Sequence, residues 1–358
     1  MTPLTENASS DIERAVLAEG HEISRLIRGG WQLAGDHGPV DPARVSDDLL
    51  AFYDAGITTL DCADIYTGVE SMIGDFRRHL GNTRGEDAAA RLKIHTKFVP
   101  DLAILPAITS ADVTAIIDRS LQRLGQDRLD LVQFHWWDYA QPRVIDAALA
   151  LRDLQREGKI RLIGGTNFDA AHVGMLADAG VPFASVQVQY SLLDRRPAQA
   201  MAGVAARLGM HYLCYGTLAG GFFDEAWLGV ADPIGTITNR SRIKYRLIID
   251  EYGGWDAFQA LLAVLGAVAR RHDARIAQVA ARWVLDQPHV AAVIIGASHP
   301  RHLPATRAIM ALHLDAADHA RIAAVLQPGP QGAVYALERD RDGPHGRIMK
   351  YNLSTAAR

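Results

Sequence analysis

Short apolar runs rich in β-branched residues alternate along this chain with longer stretches whose apolar residues recur every three or four positions. The runs Ile23–Gly29, Thr58–Asp61, Lys93–Lys97, Leu129–His135, Ile160–Gly164, Phe183–Val188, His211–Tyr215 and Ala291–Ile295 read as strands. Between them Val45–Ala55, Val69–Leu80, Ala111–Leu124, Arg143–Glu157, Ala170–Ala179, Pro197–Leu208 and Trp255–His272 read as helices. In Asp112–Leu124 the residues Val113, Ile116, Ile117, Leu121 and Leu124 make one apolar stripe, and Asp118, Arg119, Gln122 and Arg123 fall between them. Thr109 or Ser110 is a natural cap for its start, and Gly125, Gly158 and Gly180 stand where helices should stop.

Eight strand signals, each followed by a helical one, predict a parallel sheet, and eight units favour its closure into a (β/α)8 TIM barrel. A doubly wound open sheet would carry G-x-G-x-x-G after the first strand, and "RGGWQLAG" does not fit that pattern. Leu218–Gly254 is too long for a plain loop and is expected to cover the barrel mouth. Helices His302–Leu312 and Asp315–Leu326 follow the eighth strand, and a Gly/Pro-punctuated tail closes the chain. Residues 1–358 therefore read as one domain, with the barrel over about 20–326 and the tail over 327–358.

The composition belongs to an ordinary soluble globular protein: 358 residues, 49% hydrophobic, formal charge −4. Mild acidity and scattered basic residues argue against nucleic acid or an anionic membrane as the main partner. Cys62 and Cys214 are the two cysteines, too few for a disulfide framework. The first twenty residues lack the apolar core of a signal peptide and no run suits a membrane span, so a reducing cytoplasm is expected. No H-E-x-x-H, paired Cys/His spacing or G-x-S-x-G is present, and no metal is expected. The composition leaves a homo-oligomer open.

In such a barrel, chemistry gathers where the strands end. The second strand ends at Asp61 with Tyr66 five residues on, the third at Lys97 and the fourth at His135. Singly, each has a bland reading as a cap, a solvated lysine, a core histidine or a packing aromatic. Together they suit carbonyl reduction. A phenol is a poor general acid at neutral pH, a nearby ammonium is expected to lower its pKa, and a buried carboxylate keeps that ammonium charged. The imidazole is then placed to hold the substrate carbonyl beside the phenol.

The segments "ITTLDCADIYTGVESMIG", "IHTKF", "LDLVQFHWW", "GGTNF", "VQVQYSLLDRR" and "QVAARWVLDQPHVAAVIIGAS" resemble the aldo-keto reductase superfamily over nearly the whole chain, nearest the branch with potassium-channel β subunits and bacterial reductases. The resemblance implies a barrel that uses NADPH, or NADH, and a catalytic tetrad of Asp61, Tyr66, Lys97 and His135. It implies further that Thr166 and Asn167, with Gln187 beside them and Asp61 close by, bind the nicotinamide carboxamide, and that Tyr215 stacks on the nicotinamide ring. Gly216, Thr217 and Leu218 resemble the pyrophosphate loop, Gly296, Ser298 and His302 the adenosine-phosphate segment, and Gly30 and Trp31 the first-loop contacts. Trp31, Tyr66, His135 and Trp136 are expected to meet substrate, with one of Trp136 and Trp137 packed behind the barrel.

The chain also departs from the family. Ala305 and Thr306 stand where Glu-Asn is usual, and His302 with adjacent Arg301 stands where a cation for a 2′-phosphate is expected. Arg240 in the insertion is a candidate source of that charge. Cys62 replaces a more usual threonine, with only a packing effect expected, and Asp64 is assigned to the loop. The tail reads either as a flap over the site or as a frayed or oligomer-contact segment. The implied activity is NAD(P)H-dependent reduction of an aldehyde or ketone, sugar-like or xenobiotic. Its alternatives are the reverse dehydrogenation and a non-catalytic nucleotide-binding regulatory subunit.

Overall fold

The computed structural model of the protein describes residues 12–34, 41–296 and 299–353. Ten strands are present among them: β1 (Arg14–Ala18), β2 (His21–Ser24), β3 (Leu26–Gly29), β4 (Thr59–Asp61), β5 (Lys93–Phe98), β6 (Leu129–Phe134), β7 (Ile160–Thr166), β8 (Ser185–Gln189), β9 (His211–Tyr215) and β10 (Val290–Ile295). Strands β3 to β10 pair in parallel in chain order, and β10 returns to β3, so the sheet closes into the expected (β/α)8 barrel.

The first apolar run does not form one strand. It breaks at Arg25, whose guanidinium ties the loop to the backbone oxygens of Ala291 (3.1 Å) and Leu285 (2.7 Å). The part before the break folds back on β1 as an antiparallel hairpin, turning at Gly20 with φ 67°. This hairpin covers the N-terminal end of the barrel, where Leu17 and Ile23 join Ile27, Leu131, Leu213 and Ala292 in an apolar cluster of their own. Burying apolar surface there leaves the opposite end for chemistry.

The helices between the strands follow their apolar stripes. Ser110–Leu124 shows the local logic: the Thr109 hydroxyl accepts from the Asp112 amide, the Asp112 carboxylate accepts from the Thr109 amide at 2.9 Å, and Gly125 ends the helix in the left-handed region. Two helices lack a clear sequence signal. Arg240–Tyr252 lies inside the long segment after β9, is rich in basic residues, and is capped by the Asn239 side chain (3.1 Å to the Arg242 amide). Ile276–Leu285 is buried almost all round, so it lacks the polar face that marks a surface helix. The expected helix Pro197–Leu208 opens with a separate 3-10 turn at Arg196–Ala198 before Ala200–Leu208.

The tail returns across the C-terminal face of the barrel. It forms short turns at Ala336–Arg339 and Pro344–Arg347 and is stitched to the loop after β5. There the Leu102 amide donates to the Tyr351 carbonyl (2.9 Å) and the Leu353 amide to the Asp101 carboxylate (2.8 Å). Among the described residues, no helix is long and apolar enough to cross a membrane.

Candidate active site

The strand ends, the helix Arg240–Tyr252 and the tail enclose a cavity of about 840 Å³. Asp61 ends β4, Lys97 lies next to the end of β5, and His135 is the first residue past β6. All three, with Tyr66, line the cavity. The Lys97 ammonium lies 2.7 Å from Asp61 Oδ2, donates to the Cys62 carbonyl at 2.8 Å, and sits 5.0 Å from the centre of the Tyr66 ring. The other Asp61 oxygen accepts from Gln133 Nε2 (2.9 Å) and Gln187 Nε2 (2.6 Å). Each carboxylate oxygen thus has a donor, as a buried anion requires.

These contacts set the proton chemistry. Burial works against the Lys97 ammonium, but Asp61, followed by the Tyr66 phenol, more than offsets it and holds the Lys97 pKa above the ordinary lysine value. Tyr66 departs from expectation. Burial raises its pKa and outweighs the lowering by Lys97, so the phenol is protonated at neutral pH rather than poised toward phenolate. Burial, then the Arg339 cation, push the His135 pKa down to about 3. Its Nδ1 lies 3.0 Å from the Thr166 backbone oxygen. A carbonyl only accepts, so Nδ1 carries the proton of this neutral ring and Nε2 presents a lone pair. The ring therefore cannot donate to a substrate carbonyl.

The tryptophan assignment is reversed. Trp136 is fully buried against Phe134 and does not line the cavity, whereas Trp137 lines it and stands edge-on to His135, ring centres 4.2 Å apart. His135 and Trp137 therefore line the same cavity, and Trp136 between them is turned into the packed core. Trp31 lines the cavity and stands edge-on to Tyr66 at 5.0 Å. Gly30 does not reach it: a side chain there would meet the Asp61 backbone oxygen at 2.7 Å, while Gly29 and Gln32 line the cavity instead.

The remaining expected positions mostly converge. Thr166, Asn167, Gln187, Tyr215, Gly216, Thr217, Leu218, Gly296 and His302 all line the cavity. Ser298 lies outside the described residues. The Tyr215 hydroxyl donates to Asn167 Oδ1 at 2.8 Å, which fixes its ring. Gln187 spends its amide nitrogen on Asp61 and Gln133. Gly216 is required by its surroundings, with φ 73° and the Tyr245 hydroxyl 2.7 Å from where a Cβ would stand. The Thr217 hydroxyl is buried without a hydrogen-bond partner among the described residues, a donor suited to an anionic group.

Several lining residues had no sequence signal. Lys244 lies over Tyr215, Tyr245 and Tyr335 at 4.9, 5.6 and 6.0 Å, and burial lowers its pKa. Arg275 lines the end of the cavity that also holds His302, Ala305 and Thr306. Burial, followed by Arg301, lowers the His302 pKa, so Arg275 rather than His302 supplies a lasting cation there. Arg240 does line the cavity and donates to the Ile348 carbonyl at 2.7 Å. Asp64 lies in the loop after β4, as expected, but there it is buried, accepts from the Val99 amide at 3.2 Å, and burial with Glu70 raises its pKa to about 7. Cys62 is buried and its pKa is raised by burial, an inert packing thiol.

The model of the Aldo/keto reductase family matches residues 25–327. The chain is similar to flagellar radial spoke protein 5 of Chlamydomonas reinhardtii, with 29% identity over 63% of this chain and 49% of that protein, so it spans about half the length of that relative. It is 25% identical to the NADH-specific methylglyoxal reductase of Escherichia coli (strain K12), covering 83% of this chain and 92% of that one. The crystal structure of a candidate 2,5-diketo-D-gluconic acid reductase B overlays with a TM-score of 0.65 at 25% identity, covering 89% of this chain and 93% of the other.

Proposed function

Because the chain belongs to the aldo/keto reductase family, we propose that it reduces an aldehyde or ketone to an alcohol with NADPH, using Tyr66 as the proton donor. One observation carries the reading: the Asp61–Lys97 pair, with its ammonium 5.0 Å from the Tyr66 ring, opens into the same cavity as the Tyr215 face. Oxidoreductases of this family use a nicotinamide cofactor, and the residues present fit one. The Tyr215 face suits the flat ring, the unpartnered Thr217 hydroxyl suits a phosphate oxygen, and Arg275 suits a further phosphate. Bound and reduced, that cofactor supplies the hydride that the carbonyl carbon takes up.

The protein's own groups handle the proton and the orientation. Tyr66, protonated at neutral pH, gives its phenolic proton to the substrate oxygen as charge develops there. Lys97 steadies the phenolate left behind, and Asp61, fixed by Gln133 and Gln187, keeps Lys97 charged and aimed. His135, Trp31, Trp137 and Tyr335 shape the space where the substrate sits. The same groups run the dehydrogenation of an alcohol in reverse, so the cofactor ratio sets the direction.

The test is titration of intrinsic fluorescence with NADPH and with NADH, followed by a screen of carbonyl substrates with the cofactor that binds. Turnover that is lost in Tyr66→Phe supports the reading. Turnover unchanged in that variant overturns the mechanism, and tight NADPH binding with no turnover of any carbonyl favours a nucleotide-binding regulatory role.

A further inference from the structure

Tyr66 and Lys97 come from different strand ends, so the loop after β4 must be held in register with β5. The parallel hydrogen-bond pattern runs on past the end of β4. The Cys62 amide donates to the His95 carbonyl at 2.8 Å, and the Asp64 amide donates to the Lys97 carbonyl at 3.4 Å. The next donor in that pattern is the Val99 amide, and its regular acceptor is the backbone oxygen of Asp64. The Asp64 side chain takes that place instead, with Oδ2 3.2 Å from the Val99 amide. The displaced backbone oxygen accepts from Arg123 Nη1 at 3.2 Å. A carboxylate standing in for a main-chain carbonyl keeps the loop bound to β5 while the backbone turns away, and Tyr66 follows two residues later.

The far side of the loop is fixed as well. Arg123 Nη1 also donates to Glu70 Oε2 at 3.3 Å, and Glu70 Oε1 accepts from the Thr96 hydroxyl at 2.7 Å. Between these anchors the Tyr66 amide donates to the Ala63 carbonyl at 3.1 Å, and the Tyr66 carbonyl accepts from the Val69 amide at 3.0 Å. We infer that Asp64 is a positioning residue that sets the Tyr66 phenol against the Lys97 ammonium by bridging their two strand ends. The inference rests on the carbonyl reduction proposed above. Asp64 does not line the cavity, so it acts through Tyr66 and not on substrate or cofactor.

The charge at this position is costly to the fold. Asp64 is buried, its Oδ1 has no hydrogen-bond partner among the described residues, and Glu70 faces it from Val69–Arg84. Arg119 and Arg123 face it from Ser110–Leu124, while the Lys97 ammonium on β5 is engaged by Asp61. Burial, then Glu70, push the Asp64 pKa up to about 7, so the ionised form is present only above neutrality. That form is the stronger acceptor for the Val99 amide. A neutral isostere should therefore spare the fold and weaken the bridge.

The experiment measures kcat, KM and the urea midpoint of Asp64→Asn and Asp64→Ala at pH 8, on the full chain with NADPH and the fastest carbonyl of the screen. Asp64→Asn keeps an acceptor for the Val99 amide but not the charge, so kcat should fall by on the order of tenfold while the urea midpoint holds or rises. Asp64→Ala loses the bridge, and a misplaced reacting group costs on the order of 100-fold in kcat. KM for both molecules should stay within about twofold, because neither contact reaches them. In the unaltered protein kcat should decline as pH falls through about 7, and Asp64→Asn should lack that decline. Should Asp64→Ala fail to fold, Asp64→Asn decides alone. A kcat and pH profile unchanged in Asp64→Asn overturn the inference, and Tyr66→Phe still tests the parent reading. A kcat loss accompanied by a lower urea midpoint in Asp64→Asn also overturns it, since Asp64 would then hold the fold and not Tyr66. No turnover of any carbonyl removes the parent reading, and the inference with it.

Discussion

The Arg339 guanidinium lies 3.6 Å over the ring of Tyr139. The same group donates to the Tyr139 hydroxyl at 2.7 Å and to the backbone oxygens of Trp136 (2.5 Å), Trp137 (3.0 Å) and Asn167 (2.9 Å). One tail side chain thus ties together the loops after β6 and β7, which carry His135 and follow Thr166. The planar fork of arginine suits several acceptors at fixed angles, and a lysine ammonium does not.

Arg339→Met should therefore leave several acceptors without their donor and cost about 2 kcal/mol or more of stability. Urea unfolding reads that loss. Arg339→Lys should fail to restore it, and in both variants KM for the carbonyl substrate should rise more than kcat falls, because the roof over the site loosens while Tyr66 stays in place. Full stability in Arg339→Met would show that the tail is held by other contacts.

Asp61→Asn would leave the Lys97 ammonium buried without its anion. Removing one member of a buried pair costs about 3–5 kcal/mol, so the variant should unfold at markedly lower urea. Turnover should fall as well, since the Lys97 pKa drops once the carboxylate no longer offsets its burial. An unchanged unfolding midpoint would mean that Gln133 and Gln187 reorganise to compensate.

Arg275→Ala should raise KM for NADPH by about tenfold, the scale of one lost charge-assisted contact of roughly 1.4 kcal/mol. KM for NADH should barely move. Steady-state kinetics with both cofactors decides this, and equal losses for the two would place Arg275 away from the 2′-phosphate.

Acid should destabilise the fold through histidines at the barrel floor. His21 Nε2 and His95 Nε2 lie 3.2 Å apart, and both rings are buried. Burial lowers the His21 pKa to about 4 and the His95 pKa well below its ordinary value. Between the unfolded pKa near 6.5 and these folded values, the unfolded chain binds more protons than the native one. Stability is therefore whole above about pH 6.5 and is lost as pH falls toward 4, by on the order of 3 kcal/mol for His21 alone. Urea midpoints from pH 7.5 to 4.5 should trace this slope, and His95→Leu should flatten it.

The alternation of apolar periods was enough to predict the closed barrel and all eight of its strands, because strand and helix periods are local properties of the chain. Asp61, Tyr66, Lys97 and His135 were readable for a related reason. Closure of a parallel barrel obliges successive strands to deliver their ends to one rim. The break at Arg25 was not readable, since no Gly or Pro marks it between Ile23 and Ile27 and only the backbone oxygens of Ala291 and Leu285 show where the chain turns.

What the order of residues determined by itself is the scaffold and which titratable side chains gather at one rim of it. Tertiary structure decided how those groups are set. Burial overrode Lys97 at the Tyr66 phenol, the Thr166 carbonyl chose the protonated nitrogen of His135, and the loop after β6 turned Trp137 rather than Trp136 into the cavity. Tertiary structure also brought the tail over the mouth through Arg339, which meets Trp137 across 202 positions of chain. These outcomes depend on desolvation and on contacts between residues far apart in sequence, and no local period encodes either.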